Sequence, residues 1–245
     1  MRNAGLAENL VRWGHPLWNV LPKSRNTKAG NKTRQLARFA QGMKLSPADR
    51  YWRWASVSDE HQAGALLLRS PQPDPIFEDL KKRYCQVLGE SNLNDVLLAD
   101  MQLVLTNDML AKVDYMSMAN SLEVRVPFLD YEHVNYVFSL PAEWKFGKAQ
   151  GKKILRDTFS DLLTDTLLNR PKHGFEVTIL LWFRTEMRQQ IHQELLSERL
   201  LQEQGIFQPA AVRQLLQQLD SANPGDAAAL VWNLIVFQYL WIKNM

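Results

Sequence analysis

Lys172 lies in the run Arg170-Pro171-Lys172-His173-Gly174-Phe175. The proline stops the preceding helix and the glycine frees the backbone just after it. A lysine so placed sits on a defined loop and can meet an anionic phosphate as a point charge. Taken alone, the spacing favours an ordinary solvated loop lysine, because position in a fold does not show function. Glu123 and Arg125 stand two residues apart in Leu122–Phe128, where Leu122, Val124, Val126 and Phe128 alternate with them. Period-two alternation predicts a strand with four apolar side chains anchoring one face and the charged pair side by side on the other. A carboxylate beside a guanidinium stays ionised and oriented. The competing and, on spacing alone, stronger reading is an ion pair that pins the segment to a neighbouring helix. Lys152 and Lys153 follow Gly151 at the start of a predicted helix, where backbone N–H groups favour anions. A solvated lysine pair is the alternative.

His133, His173 and His192 show no metal-ligand spacing. No GxxxxGK[ST], GxGxxG or HExxH is present, and no Ser, Cys or His forms a recognisable nucleophile site. The eight tryptophans and eight methionines fall mostly at helical spacing and read as core.

The elements that would position these groups are mainly helical. Asn94 and Asn107 are candidate caps for successive helices, and Asp130 precedes another. Residues 152–163 place Ile154, Leu155, Phe159 and Leu162 on one inward stripe. One long helix is predicted from Ile179 to Gln204, stopping at Gly205. Pro209 opens the next, and Asp226 caps the last, which carries Leu230, Leu234, Phe237 and Trp241. Loops are expected at 70–75, 141–151, 170–175 and 221–225.

The 245 residues suit one large domain or two small ones. A net charge of +3 gives no argument for nucleic acid. The local run Lys23, Arg25, Lys28, Lys32, Arg34 and Arg38 reads as a solvated basic surface. The division expected is a basic, partly irregular segment over 1–50 and a helical body over 51–245. The single cysteine, Cys85, excludes an internal disulfide, fits a reducing compartment and reads as packing. The N-terminus has no apolar signal region. Asn233 and Gln238 interrupt the apolar stretch Ala227–Ile242, so it reads as a buried helix and not a membrane span. A cytoplasmic location follows from these readings.

Four blocks, in order, resemble the C-terminal half of the synthetase domain of glutamine-dependent asparagine synthetases. They are KVDYMSMANSLEVRVPFLD (112–130), GKKILRDTF (151–159), RPKHGF (170–175) and LVWNLIVFQYLW (230–241). The likeness is good over 90–245, and its first block is long and specific. It implies a mainly α chain, the helical C-terminal portion of an α/β adenine-nucleotide α-hydrolase-like synthetase domain, with most of the parallel sheet absent. The family adenylates the aspartate side chain with ATP and Mg, and ammonia then displaces AMP. By resemblance, Lys172 stabilises charge in the adenylation transition state, Glu123 is the active-site glutamate and Lys152 meets phosphate oxygens. Arg125 and Asp130 are structural support, and no residue here is implied as a metal ligand.

The sequence departs from the family pattern. The cysteine amidohydrolase domain, the S-G-G-x-D-S loop and the acidic G-E-x-x-D-E segment are missing. Tyr115 stands where a basic residue is common, and Thr178 where proline is common. The expectation is a chain inactive alone that binds no cofactor stably. A second polypeptide could supply the nucleotide loop. The alternatives are a helical interaction module, or half of a split ligase forming another amide.

Overall fold

The computed structural model describes residues 28–69, 74–89, 92–147, 151–170 and 177–244. Among these the chain is mainly α. Among the described residues, the only strand-like features are two isolated antiparallel bridges, Leu67 with Phe207 and Phe146 with Gly151. The chain divides into two units, Met1–Cys85 with Val177–Met245, and Gln86–Glu176. None of the described helices is long and apolar enough to cross a membrane.

The first unit holds the main core. Pro209 starts the helix Pro209–Asp220, where its missing N–H costs nothing. Val212, Leu215, Leu216 and Leu219 recur at three- and four-residue spacing, and all are buried. They cluster with Ala227, Val231, Leu234 and Ile235 of the helix Ala227–Lys243, and with Phe183, Ile191, Leu195 and Leu201. Gln238, which interrupts the apolar run, is fully buried. Its amide exchanges two hydrogen bonds with Gln204, at 2.5 and 3.0 Å, so burial leaves neither end unsatisfied.

Three expectations in this unit need correction. The predicted helix from Ile179 to Gln204 is broken into Ile179–Arg184, Arg188–Gln190, a π-helical turn Ile191–Leu195, and Glu198–Gln204. Thr185 donates its hydroxyl back to the Leu181 carbonyl at 2.8 Å, a local bond that competes with helix continuation. Ser197 then caps a new helix by accepting from the Leu200 N–H. Gly205, at φ 63°, ends it as expected. Asp226 precedes the last helix, yet its side chain makes no cap bond; the carboxylate pairs with Arg34 at 3.5 Å instead. Among the described residues of the basic run, Arg34 and Arg38 are not plainly solvated. Arg34 and Arg38 are part-buried, and one Arg38 nitrogen donates to the carbonyls of Arg53, Trp54 and Ser56. It thereby covers the C-terminal carbonyls of the helix Pro47–Ala55. Cys85 is buried, as its reading as a packing residue requires.

The second unit is built on a continuous helical rod: Leu93–Asp100, a π-helical stretch Met101–Leu110, and Ala111–Ala119. Its cap is Asn92, which accepts from the Asp95 N–H, and not Asn94. Asn107 caps nothing. It lies inside the rod and donates to the carbonyls of Leu103 and Gln102 at 2.9 and 3.1 Å. Thr106 likewise bonds back to Met101. Such back-bonding accompanies the widened π turn and keeps one helix where two were expected. Asp130 does cap the helix Tyr131–Ser139, accepting from the N–H groups of Glu132 and His133. The helix expected over 152–163 is only Lys153–Thr158, and Phe159 and Leu162 are exposed. Among the described residues of this unit, only Leu88 and Ala99 are buried apolar side chains.

Candidate active site

The segment carrying Glu123 and Arg125 is fixed at both ends. At its start the rod ends in a Schellman motif: the Leu122 N–H meets the Ser117 carbonyl at 2.9 Å, and the Ser121 N–H meets Met118 at 3.0 Å. Ser121 takes the left-handed position, φ 56°, that glycine usually fills. At its end, Pro127–Leu129 forms a single 3-10 turn and Asp130 caps the next helix. Residues 122–126 between them are unpaired chain, not the strand expected. Glu123 and Arg125 form an ion pair, 69% and 87% exposed. A pair so exposed adds little stability but holds the carboxylate beside a cation. The alternating apolar residues are not anchored: Leu122 is 59% and Phe128 64% exposed. With no neighbouring strand among the described residues, nothing covers that face. Val124 and Val126 line a cavity of about 350 Å³ together with Leu110, Val113 and Ser117.

Lys152 occupies the residue before the helix Lys153–Thr158, also in left-handed backbone, φ 60°. Lysine in that region costs about 1–2 kcal/mol. Ser121 and Lys152 are the only non-glycine residues with positive φ among those described. Both mark the candidate segments, which is where strained backbone tends to gather. Lys153 is taken up by Asp157, one turn on. Lys152 lines a cavity of about 720 Å³ whose walls are chiefly apolar, including Met101, Leu105, Val137 and Leu155.

Lys145 shares that cavity, and the sequence reading passed over it. Its ammonium is 2.5 Å from the Asn94 side-chain oxygen and 5.3 Å from the centre of the Phe138 ring. Desolvation lowers its pKa from the ordinary lysine value. The other end of the Asn94 amide donates to the Phe138 carbonyl at the end of the helix Tyr131–Ser139. A polar residue early in the rod, paired with a lysine fifty positions later, gives no signal in sequence. Among the described residues, the cavity joins Lys145 and Lys152, while Glu123 and Arg125 lie outside its lining. Asp130 serves the helix start. Lys172 and His173 fall outside the described residues.

The asparagine synthase family model matches residues 6–243. The chain belongs to the asparagine synthase family. Asparagine synthetase [glutamine-hydrolyzing] 1 of Bacillus subtilis is 30% identical over 194 residues, which are 79% of this chain and 30% of that protein. A putative asparagine synthetase of Mycobacterium bovis is 34% identical over 143 residues, 58% of this chain and 21% of the relative. The asparagine synthetase of Cricetulus griseus is 35% identical over 122 residues, 48% and 18% respectively. This asparagine synthase family chain therefore spans less than a third of the length of these relatives. No solved structure matches it.

Magnesium does not fit what is described: no group of three His, Cys, Asp or Glu side chains among those residues could hold a metal ion. For a nucleotide, the described residues offer the two ammonium groups of Lys145 and Lys152 at one apolar cavity.

Proposed function

We propose that this chain is the C-terminal, mainly helical part of an ATP-dependent amide-forming ligase of the asparagine synthetase type. The reaction is adenylation of the aspartate side-chain carboxylate followed by attack of ammonia. Negative charge builds on phosphate oxygens in the first step, and fixed cations lower that barrier. In this reading Lys172 supplies the cation at the reacting phosphorus, Lys152 holds phosphate oxygens, and Glu123 acts in the site with Arg125 beside it. Asp130 keeps the segment's far end in place. The S-G-G-x-D-S loop and the acidic segment that serve ATP and Mg in the family are not among the 245 residues. They would come from outside these 245 residues.

One observation carries the reading beyond family membership. The unit bearing the E-x-R-V-P-F-L-D block buries just two apolar side chains among its described residues, while Tyr115, Met116, Leu122 and Phe128 stand exposed around that block. Such a surface is suited to a covering layer.

ATP–pyrophosphate exchange with aspartate tests the assignment. The isolated chain is expected to give none. Exchange should appear when a polypeptide carrying the nucleotide loop is added. With Lys172→Ala it should then fall by a factor of about 10²–10³, the usual loss for one electrostatic stabiliser. Robust exchange by the chain alone, or by the Lys172→Ala assembly, would sink the reading.

The same exposed surface favours a second reading, a helical module that binds another polypeptide without ligase chemistry, or half of a ligase forming a different amide. Exchange with an amino acid other than aspartate would select the different ligase. Assembly without exchange for any acceptor would select the module.

A further inference from the structure

The cavity of about 720 Å³ in the second unit is lined by a lysine to which the ligase reading gives no role. Lys145 closes the short helix Ala142–Lys145 and is half-buried. Its Nζ donates to the Asn94 side-chain oxygen at 2.5 Å and lies 5.3 Å from the centre of the Phe138 ring. Asn94 is itself anchored, its amide nitrogen donating to the carbonyls of Phe138 and Leu140 at 3.2 and 3.5 Å. Both partners of the ammonium are neutral. Asp100, a carboxylate in the same lining, is engaged in an interaction of its own and forms no ion pair with Lys145. An ammonium drawn out of water among neutral groups loses hydration without gaining a counter-charge, which is why desolvation lowers its pKa. The walls beside it are chiefly apolar, with Met101, Leu105, Val137 and Leu155 among them. Phe128 and Tyr136, 64% and 62% exposed, line it too, so the cavity is open to solvent.

We propose that this cavity binds a carboxylic acid with an unbranched hydrocarbon body of medium length, its carboxylate on the Lys145 ammonium and its chain along the apolar wall. The volume lies within the range of about 300–1,000 Å³ typical of small-molecule sites, and apolar walls with one placed polar group are their usual chemistry. A single point charge matches a monoanion, whereas a phosphate dianion calls for more donors than one ammonium supplies. The walls favour a hydrocarbon over a polypeptide segment. Each residue of a peptide brings an N–H and a C=O that must find partners, and a wall of this kind offers few. A methylene chain brings none. Lys152, also in the lining, keeps its place in the ligase reading and is not needed here.

Titration of the full chain with octanoate, followed by NMR of methyl-labelled methionines, tests this and locates the ligand. Met101 and Met109 line the cavity, Met116 and Met118 are exposed outside its lining, and Met187 packs on the core of the other unit. Saturable shifts are expected at Met101 and Met109. Three further ligands separate head from chain. Octan-1-ol keeps the chain without charge and should bind about tenfold or more weakly, the loss of one charge-assisted hydrogen bond. Octylammonium reverses the charge and should bind weakest. Butanoate lacks four methylenes, each strengthening binding about fourfold when buried, and should bind about a hundredfold more weakly than octanoate. These comparisons need only the wild-type chain. Lys145→Met, which keeps an apolar side chain of similar length, should then abolish the preference for octanoate over octan-1-ol while leaving octan-1-ol binding unchanged. No saturable binding at roughly millimolar octanoate, shifts at Met116, Met118 or Met187 in place of Met101 and Met109, octan-1-ol or octylammonium binding as tightly as octanoate, or an undiminished preference in the Lys145 variant overturns the proposal. Because no nucleotide or aspartate is present, failure here leaves the ligase reading untouched.

Discussion

Asp220 shows how one side chain can set a pH limit. It accepts from Arg188 at 2.6 Å, and that bond, aided by the charges of Arg188, His192 and Arg184, holds its carboxyl below the usual range against the opposing effect of burial. A depressed folded-state pKa stabilises above the unfolded value of about 3.9, and the gain disappears as pH falls through the folded value. Asp220→Asn should therefore lower the urea midpoint at neutral pH and converge with wild type as pH falls through the depressed folded-state value. Stability curves of the two proteins that stay parallel through acid unfolding would remove Asp220 from the acid limb. At the same scale, the ion pair of Glu123 and Arg125 was legible in the sequence, since alternation alone places the two side chains together. The hydrogen bond from Lys145 to Asn94 was not, because its partners meet only through packing.

At the scale of elements, caps and turns decide the boundaries. Ser121 holds a left-handed Schellman position that suits glycine better. Ser121→Gly should stabilise by about 0.5–1 kcal/mol, the relief of that backbone penalty less the glycine entropy cost. Equilibrium urea unfolding measures it, and a destabilised variant would show that the serine side chain contributes more than its backbone strain. Leu219 is fully buried between the Pro209–Asp220 helix and its neighbours. Leu219→Ala should cost about 2–5 kcal/mol. Pro209, Gly205 and Asp130 mark element ends in the sequence, and each sits where its chemistry requires. The break at Thr185 and the fusion through Asn107 were hidden, because both follow from side chains bonding back to carbonyls within apolar periodicity that reads as continuous helix.

At the scale of the whole molecule, the two units differ in how they are held. The first has a contiguous core from Phe183 to Ile235, while the second leaves most of its described apolar residues in contact with water. The isolated chain is accordingly expected to associate. Light scattering at micromolar concentration should give a mass above that of one chain, and joint Leu122→Asn and Phe128→Ser replacement should reduce it. A monodisperse wild-type monomer would contradict this.

Helical periodicity, proline and glycine punctuation and four ordered blocks were enough to determine a mainly α chain of the asparagine synthase family, because these signals are local. Only the tertiary structure decided which face of each element is covered. Alternation in Leu122–Phe128 carries the same pattern whether or not a neighbouring strand exists, and here none of the described residues pairs with it. It also decided that Arg34, Arg38 and Arg53 converge on one cavity, since charge in a sequence says nothing of which cations will share a space until helices distant in the chain pack together.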